Sequence, residues 1–449
     1  MIIGINKKNE KMKEIMREIL SFSVILICVL ATLGSQTYYA IMMLFGMSGG
    51  EGGGLYYIYN GLVCLLTVIV FLTRKPNYNL SFLLPAFVIL SYCVSEVLDR
   101  NGEYALMYLG YFLLWSLPAY LAGNIISKKR NFFSYLKIFD FVMIFFTLYG
   151  IVNAVIFMTQ GWKAIGYFGT SYQQISYTTA MAYGLNIFFL TCGEDIDRYS
   201  FFRTKFWQCV SLCLLLFQFI VAIVCGGRSG LIIVILTTFY FGVPFLFNRK
   251  NVRHVAKMLK ILACIVFAFL IMYVLYENYG DNSAVSVGIL RHMKTFNSDG
   301  GINWNGGGGR HGIYEITVEN INRNPLGYGV FGQFELLGYS PHNIFLEWLV
   351  GCGYIGLVVM LFVCFDMFRR YFSIIQFSPG YKILGLFLIY SAINLMFSGT
   401  WVVSNILWFC FGFIFAFRPD REQLYKLKAK TSAGMLIDDY MENFNDFMK

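Results

Sequence analysis

The chain has 449 residues, of which 57% are hydrophobic, 18% aromatic and only 13% charged, and its mean hydropathy is +0.60. Ordinary soluble domains hold about 45 to 50% apolar and about 25% charged residues. That much apolar surface cannot be hidden in a soluble fold of this size, so a soluble enzyme, a fibrous protein and a disordered chain are excluded in favour of a polytopic membrane protein. A net charge of +10 would suit nucleic acid, but basic residues in a membrane protein first answer to the rule that cytoplasmic loops collect them.

Backbone in hydrocarbon must satisfy its own hydrogen bonds, so long apolar runs predict transmembrane helices. Twelve such runs are centred near Ile27, Val63, Val88, Phe112, Phe145, Ala182, Leu215, Leu236, Phe267, Gly356, Phe387 and Leu407. The first follows Lys7, Lys8, Lys11, Lys13 and Arg17 without a small-residue cleavage site, and reads as a retained anchor. Alternating the connections between two sides puts most of the 35 Lys and Arg on one of them. That side holds the N-terminus (1–18), Arg74 and Lys75, Lys128 to Arg130, Arg198 to Lys205, Arg249 to Lys257, Arg369 and Arg370, and the tail (418–449). The opposite side keeps Arg100, Lys163, Arg228, Arg291, Lys294, Arg310 and Arg323. Both termini are therefore expected in the cytoplasm, around one transmembrane domain over 19–417. Topology accounts for the charge, and nucleic acid drops out as a partner. The 11 cysteines include no CxxC pair and lie mostly within apolar runs, as packing residues.

Most connections are short, but 278–342, between the ninth and tenth runs, makes one large outer loop, and loops of that length are usually functional or disordered. It contains a glycine-rich stretch, Asp299 to Gly309, expected to be flexible. A short helix follows from Arg310 to about Asn322, with Pro325 as its stop. That helix is partly amphipathic and could lie on the membrane surface as a lid over a cavity. The tail after Arg418 reads as a weak interfacial helix or as disorder.

The turn Cys225-Gly226-Gly227-Arg228-Ser229-Gly230 sets a cation between two apolar runs, where Arg costs roughly 2.5 to 3.5 kcal/mol near a helix centre and less at a boundary. Arg228 reads either as a snorkelling interfacial residue or as an anion ligand, such as one for lipid-linked phosphate. Arg310 opens the outer helix, where unpaired N–H groups favour an anion, and Arg323 closes it; simple solvation is the other reading of both. His342 follows Pro341 at the mouth of the tenth run, with Asn343 as N-cap and Glu347 one turn on. A histidine there can serve as base at neutral pH, or as a polar anchor. Gly327-Tyr328-Gly329-Val330-Phe331-Gly332 fits GxGxxG but has no strand–helix unit around it, so it predicts a tight loop, not a dinucleotide site. The four histidines form no HExxH and no carboxylate cluster marks the outer loop, so neither a protein-held metal nor another cofactor is expected.

Together Gly227-Arg228-Ser229-Gly230, Arg310, Asn324-Pro325-Leu326-Gly327-Tyr328-Gly329, Pro341-His342-Asn343 with Glu347, and Gly353-Tyr354-Ile355-Gly356-Leu357 resemble the O-antigen ligase and polymerase family in order and spacing from Arg228 to Leu357. The resemblance implies an all-α, GT-C-like membrane glycosyltransferase of the bacterial inner membrane. It would be metal-independent and inverting, with its active site on the outer face. The donor would be an oligosaccharide on undecaprenyl pyrophosphate, and the acceptor a hydroxyl of another glycan or lipid. By this resemblance Arg228, Arg310 and His342 are catalytic, and Asn343 and Tyr314 join the arginines in substrate binding; Arg323, from its place at the end of the outer helix, and Glu347, from its spacing alone, complete the expected binding set. Tyr314 stands where many relatives place Trp. Arg228 and Arg310 would clamp the pyrophosphate, His342 would orient or deprotonate the acceptor, and Glu347 is the expected partner of His342. The first expectation is a surface polysaccharide polymerase, O-antigen or capsular, with a possible chain-length regulator as partner. The alternatives are a ligase delivering to a lipid A core or another acceptor, and a flippase or secondary transporter, in which the outer loop would be a gate.

Overall fold

The computed structural model describes residues 2–47, 53–74, 78–160, 171–247, 252–279, 284–293 and 310–420. Every regular element among them is helical: α1 (Ile2–Leu33), α2 (Ser35–Leu44), α3 (Gly54–Thr73), α4 (Leu83–Val97), α5 (Glu103–Tyr111), α6 (Leu117–Ile126) and α7 (Lys129–Gln160). There follow α8 (Tyr172–Cys192), α9 (Lys205–Val224), α10 (Arg228–Phe247), α11 (Val252–Tyr279), α12 (Ala284–Met293), α13 (Arg310–Arg323) and α14 (Gly332–Leu337). The chain closes on α15 (Ile344–Ile374), α16 (Ile383–Phe397) and α17 (Asn405–Ala416).

Each of the twelve expected centres falls within a helix. Among the described residues 8 helices are long and apolar enough to cross a membrane, or up to 9 when α1 and α2, bent by 105° at Gly34, count as one span. Of the other expected spans, α10 and α17 are shorter apolar helices, Arg228–Pro244 and Asn405–Ala416. Helix α8 is the remaining one, and it carries Gln, Ser, Thr and Asn along its length. It can do so because it is the buried axis of the bundle, packed by α7, α9, α10 and α16 with Ser176, Thr178, Thr179 and Asn186 all enclosed.

Polar contacts hold that axis where apolar lipid gives no hydrophobic drive for helix association. Asn186 Nδ2 donates to Gln218 Oε1 at 2.9 Å, and Gln218 Nε2 donates to Thr147 Oγ1 at 2.6 Å, so α7, α8 and α9 share one hydrogen-bonded chain. Leaving any of these groups alone in the interior would cost about 1 to 3 kcal/mol.

The expected outer helix is α13, one residue longer than read from sequence. Residues 325–329 then fold back into a break in α15. There Tyr328 N donates to Val350 O (2.9 Å), Gly329 N to Gly351 O (2.8 Å) and Tyr354 N to Pro325 O (3.1 Å). Gly353, at φ 67°, makes the break, and a Cβ on it would meet Pro325 O at 2.3 Å. The GxGxxG match is thus a tight loop seated in a helix kink. The stretch Asp299 to Gly309 and the tail beyond Asp420 lie outside the described residues.

Candidate active site

Arg228 is placed by the glycines beside it. The α9–α10 turn lies directly on α8: a Cβ on Gly227 or Gly230 would meet the Ser176 side chain at 2.5 and 2.1 Å, and Ser176 Oγ donates to the Ala222 and Gly227 carbonyls. The half-buried Arg228 then donates from Nε to the Arg291 carbonyl at 3.2 Å, at the end of α12. Arg291 in turn donates from Nη2 to Tyr172 OH at 2.7 Å and lies 4.2 Å over that ring. Arg310, at the start of α13, donates from Nη2 to the Phe397 carbonyl at the end of α16, 2.6 Å away.

These cations share one field, since Arg228 feels the charges of both Arg291 and Arg310. Tyr177 of α8 lies between their elements. Its hydroxyl donates to Ser229 Oγ at 3.0 Å, faces Ser398 and feels Arg310. No carboxylate among the described residues pairs with Arg310.

His342 stands beside them at φ 54°, a left-handed conformation unusual for any residue but glycine. It is held there by Ser340, whose Oγ donates to the Gly399 carbonyl at 3.1 Å and accepts from the His342 amide at 3.3 Å. Asn343 caps α15, its Oδ1 accepting from Phe345 N and Leu346 N, as read from sequence. Burial, and then the Arg310 charge, push the His342 pKa below its ordinary value, while the facing Gly399 carbonyl partly offsets them. The imidazole is therefore mostly neutral at pH 7, and its Nδ1 is buried without a partner among the described residues. His292, by contrast, sits against the Ile223 carbonyl, and burial is the first cause of its lowered pKa.

The ring of His342 lines a cleft of about 450 Å³ together with Tyr177, Trp115, Gln174, Ser398 and Thr400. One turn of backbone, 397–401, organises its edge. Phe397 O accepts from Arg310, Gly399 O accepts from Ser340, and Thr400 is tied by its hydroxyl to Glu347.

Glu347 does not partner His342, as its spacing suggested. It is buried, accepts from Gln333 Nε2 (2.9 Å), from the Thr400 hydroxyl and from Trp401 N (3.4 Å), and so pins the 397–401 turn to α14 and α15. Arg323 is not brought to the other cations either. It lies at the far end of α13, about 20 Å from Arg310 at 1.5 Å per residue, in an exposed ion pair with Glu319. Tyr314 is half-buried one turn after Arg310, on the same face of α13.

Sequence reading missed Tyr172, Tyr177, Ser340 and Thr400, whose types carry no signal of their own. It noted Arg291 without assigning it a role, although the argument that singled out Arg228, a cation on the side that otherwise avoids them, applies equally. Among the described residues no group of three His, Cys, Asp or Glu could hold a metal ion.

A search of the curated proteins finds no match, and a search of the solved structures finds none. Residues 213–361, from within α9 to within α15, match the family model described as O-Antigen ligase. That segment contains Arg228, Arg291, Arg310 and His342, and the resemblance drawn from Arg228 to Leu357 is borne out by it. Over residues 213–361 this multi-pass membrane protein is similar to the O-antigen ligase family.

Proposed function

We propose that the protein is a membrane glycosyltransferase that moves a glycan from a lipid pyrophosphate, of the undecaprenyl type, to an acceptor hydroxyl. The observation that carries this reading is the convergence of Arg228, Arg291 and Arg310 in one field beside His342, at the edge of a polar cleft. The acceptor hydroxyl attacks the anomeric carbon as the bond from that carbon to the pyrophosphate oxygen breaks, which inverts the anomeric centre. Pyrophosphate leaves as an anion and needs little protonation, so the main requirement is charge stabilisation where the arginines stand. The neutral imidazole of His342 takes the acceptor's proton.

Of the two acceptor readings, ligation to a lipid-borne or other glycan acceptor is preferred to polymerisation, because the matching family is described as a ligase. The basic-loop pattern favours cytoplasmic termini and a site on the outer face of a bacterial inner membrane. The test is transfer in proteoliposomes loaded with an undecaprenyl-pyrophosphate oligosaccharide, comparing the wild type with Arg228→Ala, Arg310→Ala and His342→Ala. Loss of transfer in all three, with folding retained, is expected; full activity in all three sinks the assignment. Single additions to the acceptor mark a ligase, and products of many repeats a polymerase.

A further inference from the structure

At the end of α9 away from Arg228 lies a separate cavity of about 460 Å³, between the C-terminus of α8, the N-terminus of α9 and the early turns of α11. It stands about 30 Å from Arg228 along the 20 residues of α9, at 1.5 Å per residue. This is the end that the basic-loop pattern assigns to the cytoplasm. Among the described residues four cations line the cavity, Arg198, Arg203, Lys205 and Lys260, against one carboxylate, Glu194.

The four cations are not equivalent. Arg198 has an almost wholly buried side chain, donates from Nε to Asp140 Oδ2 at 3.0 Å and lies 4.4 Å over the Phe189 ring, so it is a neutralised part of the back wall. Arg203 donates from Nη2 to Asp197 at 3.1 Å and to the Ile196 carbonyl at 3.0 Å. Lys205 and Lys260 are exposed, and no ion pair among the described residues holds either. Lys260 is the more telling of the two, because it stands inside the apolar span Met258–Asn278, where a cation is costly. Snorkelling relieves part of that cost. A phosphate at the same level adds a counter-charge, for which a lysine ammonium is a compact partner with three donors.

Past the cations the wall turns apolar. Leu190, Leu212 and Ile261 line it, and Leu212 lies seven residues along α9 from Lys205, about 10 Å deeper. Phe206 and Leu259, each next to one of the lysines, are large exposed apolar side chains, which face lipid in a chain that spans a membrane. A cavity that is cationic at its mouth and apolar at depth suits an amphiphile better than a water-borne anion, which would leave the apolar part unfilled. The cytoplasmic leaflet carries anionic lipids, and basic pockets between transmembrane helices on that side hold their head groups.

We propose that this cavity is a binding site for an anionic glycerophospholipid, its phosphate met by Lys205 and Lys260 and the upper part of one acyl chain laid along Leu212 and Ile261. The site goes beyond the transfer reading and does not depend on it. Seated there, the lipid bridges α9 and α11 beside the Asp140–Arg198 pair, which ties α7 to the connection between α8 and α9.

The purified full chain, delipidated in detergent, is titrated with phosphatidylglycerol and separately with phosphatidylcholine of the same acyl chains, and bound lipid is counted by native mass spectrometry. Phosphatidylglycerol is expected to bind about twentyfold tighter, without competition from free glycerol 3-phosphate at equal concentration. Lys205→Met and Lys260→Met, which keep the apolar stem, are each expected to weaken it about fivefold, the scale of one cation at a charged leaflet, and the double variant to bring it to the level of phosphatidylcholine. Arg130→Met removes a cation from the same side, on α7 and outside the cavity, and is expected to change nothing. Thermal midpoints without lipid check that each variant is folded. Equal binding of the two lipids, full phosphatidylglycerol binding in the double variant, or an equal loss in Arg130→Met overturns the proposal, the last by showing a diffuse basic field in place of a site. Displacement by glycerol 3-phosphate overturns it in favour of a water-borne anion.

Discussion

Thr400 and Glu347 meet across 53 positions of chain, the threonine hydroxyl donating to a glutamate that is almost wholly buried. Through that contact the first turn of α15 holds the 397–401 turn, and the 397–401 turn holds both the Phe397 carbonyl under Arg310 and the Gly399 carbonyl under Ser340 and His342. Arg310 and His342 are therefore both set by one small piece of backbone, fixed from behind.

Removing the fastening should loosen both together. Glu347→Ala leaves the Gln333, Thr400 and Trp401 donors without their acceptor, and three unsatisfied buried groups at about 1 to 3 kcal/mol each are expected to cost several kcal/mol of stability. Thr400→Val, which keeps shape and loses one donor, is expected to cost about 1 kcal/mol and to lower the transfer rate by about tenfold to a hundredfold through misplacement alone. Thermal melts and single-turnover rates measured together check this. A Thr400→Val variant with wild-type turnover would show that the fastening does not position the site.

The pH profile should report on His342. Burial and Arg310 both favour its neutral form, so the acid limb of transfer is expected below the ordinary histidine range near pH 6.5. Activity is lost as pH falls through the folded-state pKa and the imidazole takes up a proton. Arg310→Gln removes the depressing charge and is expected to move that limb upward, along with its loss of rate. A limb that stays put in Arg310→Gln would show that the titrating group lies elsewhere.

The four arginines Arg228, Arg291, Arg310 and Arg323 should differ sharply. Arg228→Ala and Arg310→Ala are expected to lower transfer by about 10² to 10³, the scale of deleting one preorganised charge at a developing anion. Arg291→Ala keeps the main-chain carbonyl that accepts from Arg228 Nε, so it is expected to act less strongly, through the field that the two cations share. Arg323→Ala, at an exposed ion pair of the kind worth roughly 0 to 1 kcal/mol, is expected to leave transfer unchanged. Initial rates in proteoliposomes decide between these outcomes.

Gly353→Ala tests the seating of the 325–329 loop. The residue sits at φ 67°, where a Cβ would come within 2.3 Å of Pro325 O, so conformational strain and collision add. The variant is expected to be more than about 2 kcal/mol less stable, whereas Gly312→Ala on α13, with nothing within 4 Å, should be neutral or slightly stabilising. Detergent-resistance melts of the two variants make the comparison.

What the sequence disclosed followed from physics that acts locally. Apolar runs announced the helices, Asn343 announced the start of α15, and Pro325 the end of α13, because each of these signals is read within a few residues. Arg228 stood out because its sign was wrong for its side. What the sequence could not disclose depended on long-range packing. Glu347 at one helical turn from His342 invited a pairing, but the carboxyl faces Gln333 and Thr400, which only the folded bundle brings near. Arg323 was expected to join Arg310 in binding substrate, but in the folded chain it pairs with Glu319 at the far end of α13. Helix α8 seemed an ordinary span by its run of apolar residues, while its polar residues make sense only once neighbours enclose them.

The bond from Arg310 to the Phe397 carbonyl carries one further consequence. A main-chain oxygen can aim a guanidinium without cancelling it, as a carboxylate would. Among the described residues no carboxylate pairs with it, so the group is kept pointed and an arriving diphosphate meets no rival counter-ion there. Capture of the lipid donor should accordingly be fast in dilute buffer and should slow steadily as added salt shields the cation from a distance.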